Sequence, residues 1–353
     1  MNRFRKAGIT TTAATAALVA LGGTVAAAPA AADTSYAVTS TIGLGNAPRG
    51  VAVNPATDTI YTVNNTDDNV SVIDGATAKV TATIAMGSGS EPWAVAADPA
   101  SNTIYVANSG SDTVSVINGA TNTITASIAI GNGGAPDAIA VDPATNTIYV
   151  ANESSSDVQV IDGATNTVTA SIDVGVAQWA VAINQRTDTV YVSDQNNNVQ
   201  VIDGVTDTVT ATIGVGGVPI ALAVNPATDT IYTANYAPYT VSVIDGATNT
   251  VTATVGVGIM PVGVGVDPVS DTVYVSNEFG NGTAGTVSVI NGADDTVTAA
   301  VGFAAGFEAG LAVDGATHAV YETTGNNVLV ITPRHHRSSP GGGNQQSAPS
   351  ATS

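Results

Sequence analysis

The chain contains no cysteine, and only three of its 353 residues are histidine. Without cysteine it can form no disulfide, present no thiol nucleophile and build no thiolate metal site. The histidines stand at 318, 335 and 336, close to the C-terminal end. A Ser-His-Asp or Cys-His arrangement over the rest of the chain therefore lacks its base. Haem and copper are disfavoured as cofactors for want of suitable histidine ligands. Basic residues are scarce as well: eight Lys and Arg face 28 Asp and Glu, a formal net charge of −20. Such a surface repels phosphate backbones and offers no basic stripe, which excludes nucleic acid as a partner. Anionic membranes are disfavoured for the same reason. Beyond the N-terminal segment no stretch reaches the roughly 18 apolar residues of a membrane helix, so no membrane span is expected.

Both ends read as segments apart. Arg3, Arg5 and Lys6 precede a small, mostly apolar stretch, and Ala30-Ala31-Ala32 offers an A-x-A cleavage site before Asp33. Residues 1–32 are thus expected to be a secretory signal peptide, which places the remainder outside the cell or at its surface. Residues 334–353 are rich in Gly, Ser, Gln and Pro and are expected to be a disordered low-complexity tail.

Residues 33–333 are dominated by repetition. Tyr61, Tyr105, Tyr149, Tyr191, Tyr232, Tyr274 and Tyr321 follow one another at steps of 44, 44, 42, 41, 42 and 47 residues. A period in the low forties that holds only strand and turn patterns predicts a β-propeller of four-stranded blades. In the unit from Pro136 to Gly175, strands are predicted at Ala138–Val141, Thr147–Ala151, Val158–Ile161 and Thr167–Ile172. The turns between them begin at Asp142-Pro and Asp162-Gly, where Pro presets φ and Gly is free to take φ > 0. The second and third strands are apolar on both faces. The fourth alternates, with Val168 and Ile172 expected inward and Thr167, Thr169 and Ser171 outward. The repeated tyrosine reads as a core anchor whose hydroxyl is bonded between blades. The last unit stops one strand short, while Tyr36–Gly43 is spelled like the outer strand Thr208–Gly214. The expected fold is therefore all-β: a seven-bladed β-propeller of four-stranded antiparallel blades, closed by the N-terminal strand completing the last blade.

The runs Tyr105-Val-Ala-Asn108 and Tyr149-Val-Ala-Asn152, with Tyr61-Thr-Val-Asn64, resemble the YVTN repeat. The Val-Asp-Pro-Ala-Thr and Val-Ile-Asp-Gly-Ala-Thr turns do so too. From Tyr36 to Thr332 the chain is similar to the YVTN or YncE-like family of seven-bladed propellers. That resemblance extends to surface-layer proteins and to lactonase-like propellers. It implies the fold strongly and function weakly, because the repeated residues are those that build blades.

What breaks the repeat points to a site. The residue before the first predicted strand of each unit forms a column: Arg49, Trp93, Asp137, Trp179, Ile220, Val262 and Ala309. These side chains are expected to ring the mouth of the central channel, with Glu91 and Glu308 nearby. Both tryptophans of the protein fall in the column. One reading is a shallow pocket with aromatic walls and an Arg49–Asp137 pair, suited to a small polar or sugar-like ligand. The other is that the tryptophans plug the mouth and Arg49 neutralises nearby acids. Tyr236, Tyr239 and Phe279, with the long loop Asn277–Gly285, add aromatics that suit a glycan, a peptide or an envelope component. The ligand-site candidates are Arg49, Trp93, Asp137, Trp179, Tyr236, Tyr239 and Glu308. No catalytic constellation stands out, and no metal site is assigned. The Asn64–Asn69 loop has oxygen donors for Ca²⁺ without the spacing of a dedicated loop. The expectation is a monomeric exported binding or cell-envelope interaction module. A lactonase-like hydrolase or lyase, using mouth carboxylates and a divalent metal, is the alternative.

Overall fold

The computed structural model describes residues 36–131, 133–279, 284–304 and 308–334, with only the backbone of 308 and 309. The expected signal peptide, His335, His336 and the tail beyond 334 lie outside the described residues. Among the described residues twenty-eight strands form seven four-stranded antiparallel sheets arranged as blades. Among the described residues no helix is long and apolar enough to cross a membrane. The inner strands, in blade order, are Pro48–Asn54, Pro92–Asp98, Pro136–Asp142, Gln178–Asn184, Pro219–Asn225, Ile259–Asp267 and Glu308–Asp314.

Ring closure follows the reading from sequence. Tyr36–Gly43 is the outer strand of blade 7 and pairs antiparallel with Asn327–Pro333, from Tyr36 opposite Pro333 to Gly43 opposite Asn327. Its Tyr36 ring meets Tyr274 of blade 6 edge-on, at 5.8 Å between centroids. The last seam is thus sealed by aromatic packing, and the N-terminal segment supplies blade 7 with its fourth strand.

All seven repeated tyrosines are buried between blades, each in an apolar cluster that spans a seam. Their hydroxyls behave differently from one seam to the next. Tyr149 donates across its seam to the Gly204 carbonyl at 3.4 Å, whereas the Tyr61 hydroxyl is buried without a hydrogen-bond partner. The turn after each inner strand is closed by its first side chain, as where the Ala144 amide donates to Asp142 Oδ1 at 2.9 Å. The turn then ends on a left-handed residue such as Asp58, Asn146 or Asp188. Asn and Asp suit both roles.

Two local readings require correction. The glycine of each Asp-Gly or Asn-Gly turn does not take φ > 0; the left-handed residue comes three positions later, at Asn122, Asn166 or Asp207. Glycine is needed there for space. A Cβ on Gly163 would collide with the Asn146 side chain and sit 2.8 Å from the Tyr105 hydroxyl. The outer strands, moreover, do not simply alternate. Val160 pairs with Ala170 and Ile161 with Val168, so Thr169 is skipped in a bulge and Val168 turns outward, 37% exposed. The Thr169 hydroxyl donates to the Val160 carbonyl at 3.3 Å. A threonine makes the same bond in every blade: Thr39, Thr81, Thr125, Thr210, Thr252 and Thr298. A bulge leaves one residue unpaired and bends the strand, which reverses the facing of what precedes it.

Candidate functional site

The column expected before the inner strands lies inside them, at a second set of bulges. Pro92 pairs with Asn108 and Ala94 with Ala107, which leaves Trp93 out of the ladder. Asp137, Trp179, Ile220 and Val262 are skipped in the same way. In blade 1 the slip is two residues, Arg49 and Gly50, between Pro48 and Val51. An unpaired residue at a bulge is re-aimed, here toward the propeller axis.

These six side chains meet on one axial cavity of about 230 Å³. Its deeper wall is made of inner-strand residues such as Val51, Ala94, Ala138, Val181, Leu222 and Leu311. Small and branched side chains there leave a hollow where the seven strands converge. The tryptophans line this hollow and do not fill it. The two sides differ chemically: Arg49, Trp93, Asp137, Glu153 and Trp179 face it from blades 1 to 4. The described residues of blades 5 to 7 contribute only aliphatic side chains and glycine.

Arg49 is the central charge. Its Cζ lies 4.6 Å from the centroid of the Trp93 ring, a cation–π contact between adjacent blades. Burial pulls its pKa below the usual guanidinium value, while the charges of Asp137 and Glu278 push it back up. It remains protonated, as guanidinium does in proteins. Burial raises the Glu278 carboxyl, and Arg49 opposes that shift. The Arg49 carbonyl accepts from Thr323 Oγ1 at 3.0 Å, and the Gly310 amide donates to the same hydroxyl at 2.9 Å. The closing seam of the ring thereby holds the arginine's backbone.

Glu153 and Glu278 were missed by reading the column alone. Both follow the Asn at the matching place of a second strand, Asn152 and Asn277, and the column after it reads Asn65, Ser109, Glu153, Gln195, Tyr236, Glu278 and Gly325. Lining up the second loops as well as the first would have found them. Glu153 is held by its amide, which donates to the Ala135 carbonyl at 3.2 Å. Gln178 stands where five other blades have proline, and its side chain accepts the Asn152 amide at 3.0 Å and donates to the Ser155 carbonyl at 3.2 Å. That ties the Glu153 loop to the strand of Trp179.

Other candidates lie elsewhere. Tyr236 donates to Met260 Sδ at 3.3 Å, and neither it nor the exposed Tyr239 lines the cavity. Phe279 is exposed and, with Asn277 and Glu278, extends the second strand of blade 6 and does not belong to a loop. Glu91 is also absent from the lining. Glu308 begins its strand, and its side chain lies outside the described residues. His318 holds Asp267 at 2.6 Å in a turn at the far end of the inner strands. In the Asn64–Asn69 loop, Asp67 accepts the Asn46 amide at 2.8 Å and Asp68 the Glu91 amide at 2.7 Å. Those carboxylates splice loops. Among the described residues no three His, Asp or Glu gather as metal ligands.

Fold and cavity together define a seven-bladed propeller with an axial hollow of small-molecule size, aromatic and charged on one side. Residues 30–171 match the family model described as lactonase, 7-bladed beta-propeller. That match covers less than half of the chain and ends in the outer strand of blade 3. No curated protein matches the chain.

Proposed function

We propose that the chain is an exported binding or cell-envelope interaction module of the YVTN or YncE-like kind, and that its axial cavity holds a small polar ligand. The ligand is either free or the terminal unit of a glycan, peptide or envelope component. The observation that carries this reading is the convergence of Trp93, Trp179, Arg49, Asp137 and Glu153 on one hollow that the tryptophans leave open. Aromatic walls with a few convergent polar groups are the usual make-up of a ligand site. Both tryptophans of the protein line this cavity, so intrinsic tryptophan emission reports on it alone. Titration with monosaccharides, peptidoglycan fragments and small amines should shift that emission saturably, and Trp179→Phe should halve the signal or more. A protein whose emission no compound changes would count against the module.

A second reading, a lactonase-like hydrolase, is favoured by the family match over blades 1 to 3 and by the carboxylates of Asp137 and Glu153 at the cavity. Lactone hydrolysis followed by pH-stat, lost in Asp137→Asn, would establish it in place of the first.

A further inference from the structure

The charges and shape of the cavity narrow the ligand further, given that the cavity is a binding site as proposed above. Among the described side chains three charged ones line it: Arg49, Asp137 and Glu153. Arg49, the one cation among them, lies over Trp93 at 4.6 Å and in the fields of Asp137 and Glu278. An anionic ligand at the guanidinium's edge sits beside carboxylates that outnumber the arginine. The chain's net charge of −20 adds long-range repulsion to that local cost. A cation meets the opposite situation. Asp137 is shared with Arg49, but together with Glu153 it leaves the described lining net negative, and the Trp179 indole on the same side supplies a negative π face.

The aliphatic half of the cavity argues against a sugar. Ile220, Leu222, Val262 and Leu311 face the hollow from blades 5 to 7 without a polar partner among the described side chains. A polyol filling the cavity would press hydroxyls against that wall, and a buried hydroxyl without a hydrogen bond is costly. A hydrocarbon body is favoured there. The volume of about 230 Å³ lies below the roughly 300–1,000 Å³ of sites for drug-sized ligands, so the occupant is small.

We infer that the axial cavity selects a small organic cation, a protonated amine or quaternary ammonium with a short aliphatic body, its charge between Asp137, Glu153 and Trp179 and its body against Ile220 and Val262.

Three probes with one tail and different charges test this: pentylammonium, pentanol and pentanoate, titrated into the whole chain and read by tryptophan emission. Pentylammonium is expected to bind about tenfold or more tightly than pentanol, with pentanoate giving no saturable change. Its affinity should fall as salt rises, while that of pentanol should not. Asp137→Asn and Glu153→Gln should each weaken pentylammonium about fivefold and leave pentanol unchanged. The salt series on the unaltered protein decides the matter if a variant fails to fold. Equal binding of alcohol and ammonium, or tighter binding of pentanoate, overturns the inference. If sugars or lactones shift the emission and pentylammonium does not, cation selection is wrong while the binding module stands. If no compound of any class shifts it, both fall.

Discussion

The guanidinium of Arg49 and the indole of Trp93 stack at 4.6 Å across the seam between blades 1 and 2, at the rim of the axial cavity. A desolvated contact of this type stabilises by about 0.5–2 kcal/mol. Arg49→Ala and Trp93→Leu should each lower stability in urea titrations, and the double variant should reveal a coupling of about 1 kcal/mol. Arg49→Lys keeps the charge but loses the planar stack, so it should recover less than half of that coupling. Additive single effects would show that the contact is geometry without energy.

At the opposite end of the inner strands, a latch recurs at several seams between one blade and the next. Asn54 donates to Asn102 at 2.8 Å, Asn184 to Asp229 at 2.6 Å and Asn225 to Asp271 at 2.7 Å. His318 holds Asp267 at 2.6 Å in the same role between blades 6 and 7. Between blades 3 and 4 the matching residues are Asp142 and Asp188, two carboxylates with no donor between them. Asp142 is 1% exposed and its Oδ2 has no hydrogen-bond partner. Burial, then the charges of Asp142 and Asp203, raise the Asp188 carboxyl above its ordinary 3.8. Asp207 and the Tyr149 hydroxyl face the same seam, and both are raised too. A raised acid keeps its proton to higher pH in the folded chain than in the unfolded one. The stability it contributes is therefore present at low pH and is lost as pH rises from 3.8 through the raised value. Asp142→Asn rebuilds the latch of blades 4 and 5. It should add about 1–2 kcal/mol at pH 7, and the gain should shrink as pH is lowered toward 4. Urea titrations at the two pH values measure this, and a gain equal at both would contradict it.

The blades were legible because the same turns recur at every seam, and closure was legible because Tyr36–Gly43 repeats the spelling of the outer strands. The site was half legible. Both tryptophans and Arg49 stand out once the period is subtracted, yet their aim comes from a bulge, and a bulge is a matter of hydrogen-bond register that residue types do not spell. Thr169 and its six counterparts show the same limit: threonine in an alternating strand reads as a solvent-facing residue, and only the ladder reveals that its hydroxyl replaces a strand bond. Glu153 lies just past its second strand and Glu278 in the extended end of another, and a polar residue is ordinary in both places. Their meaning depends on which neighbours converge, and that is tertiary.

Gly310 tests the closing seam. A Cβ there would meet the Arg49 carbonyl and lie 3.1 Å from the Val51 amide nitrogen, so backbone would have to move on both sides. Gly310→Ala should destabilise by about 1–3 kcal/mol, as overpacking does. It should also shift tryptophan emission, because Arg49 sits on Trp93. Gly302→Ala, where a Cβ meets nothing within 4 Å, is the control and should leave both readouts unchanged. A Gly310→Ala protein with native stability would mean that the seam yields freely and that Arg49 is not held by its backbone.

Between blades 6 and 7 a polar pair stands where the seam of blades 2 and 3 has aliphatic packing. Ser276 donates to the fully buried Glu322 carboxyl at 2.5 Å, whereas the matching positions between blades 2 and 3 are Ala107 and Val150. A carboxyl in a dry seam depends on its donors, since nothing of like polarity replaces water there. Ser276→Ala should therefore cost about 1–3 kcal/mol. The double variant Ser276→Ala with Glu322→Val copies the seam of blades 2 and 3. It should return stability to that of the parent or above, because well-packed hydrophobic replacements of buried ionisable pairs are often neutral or stabilising by about 1–4 kcal/mol. Urea midpoints of the parent, the two single variants and the double decide it. A double variant no more stable than Ser276→Ala alone would show that Glu322 carries a role at this seam beyond filling it.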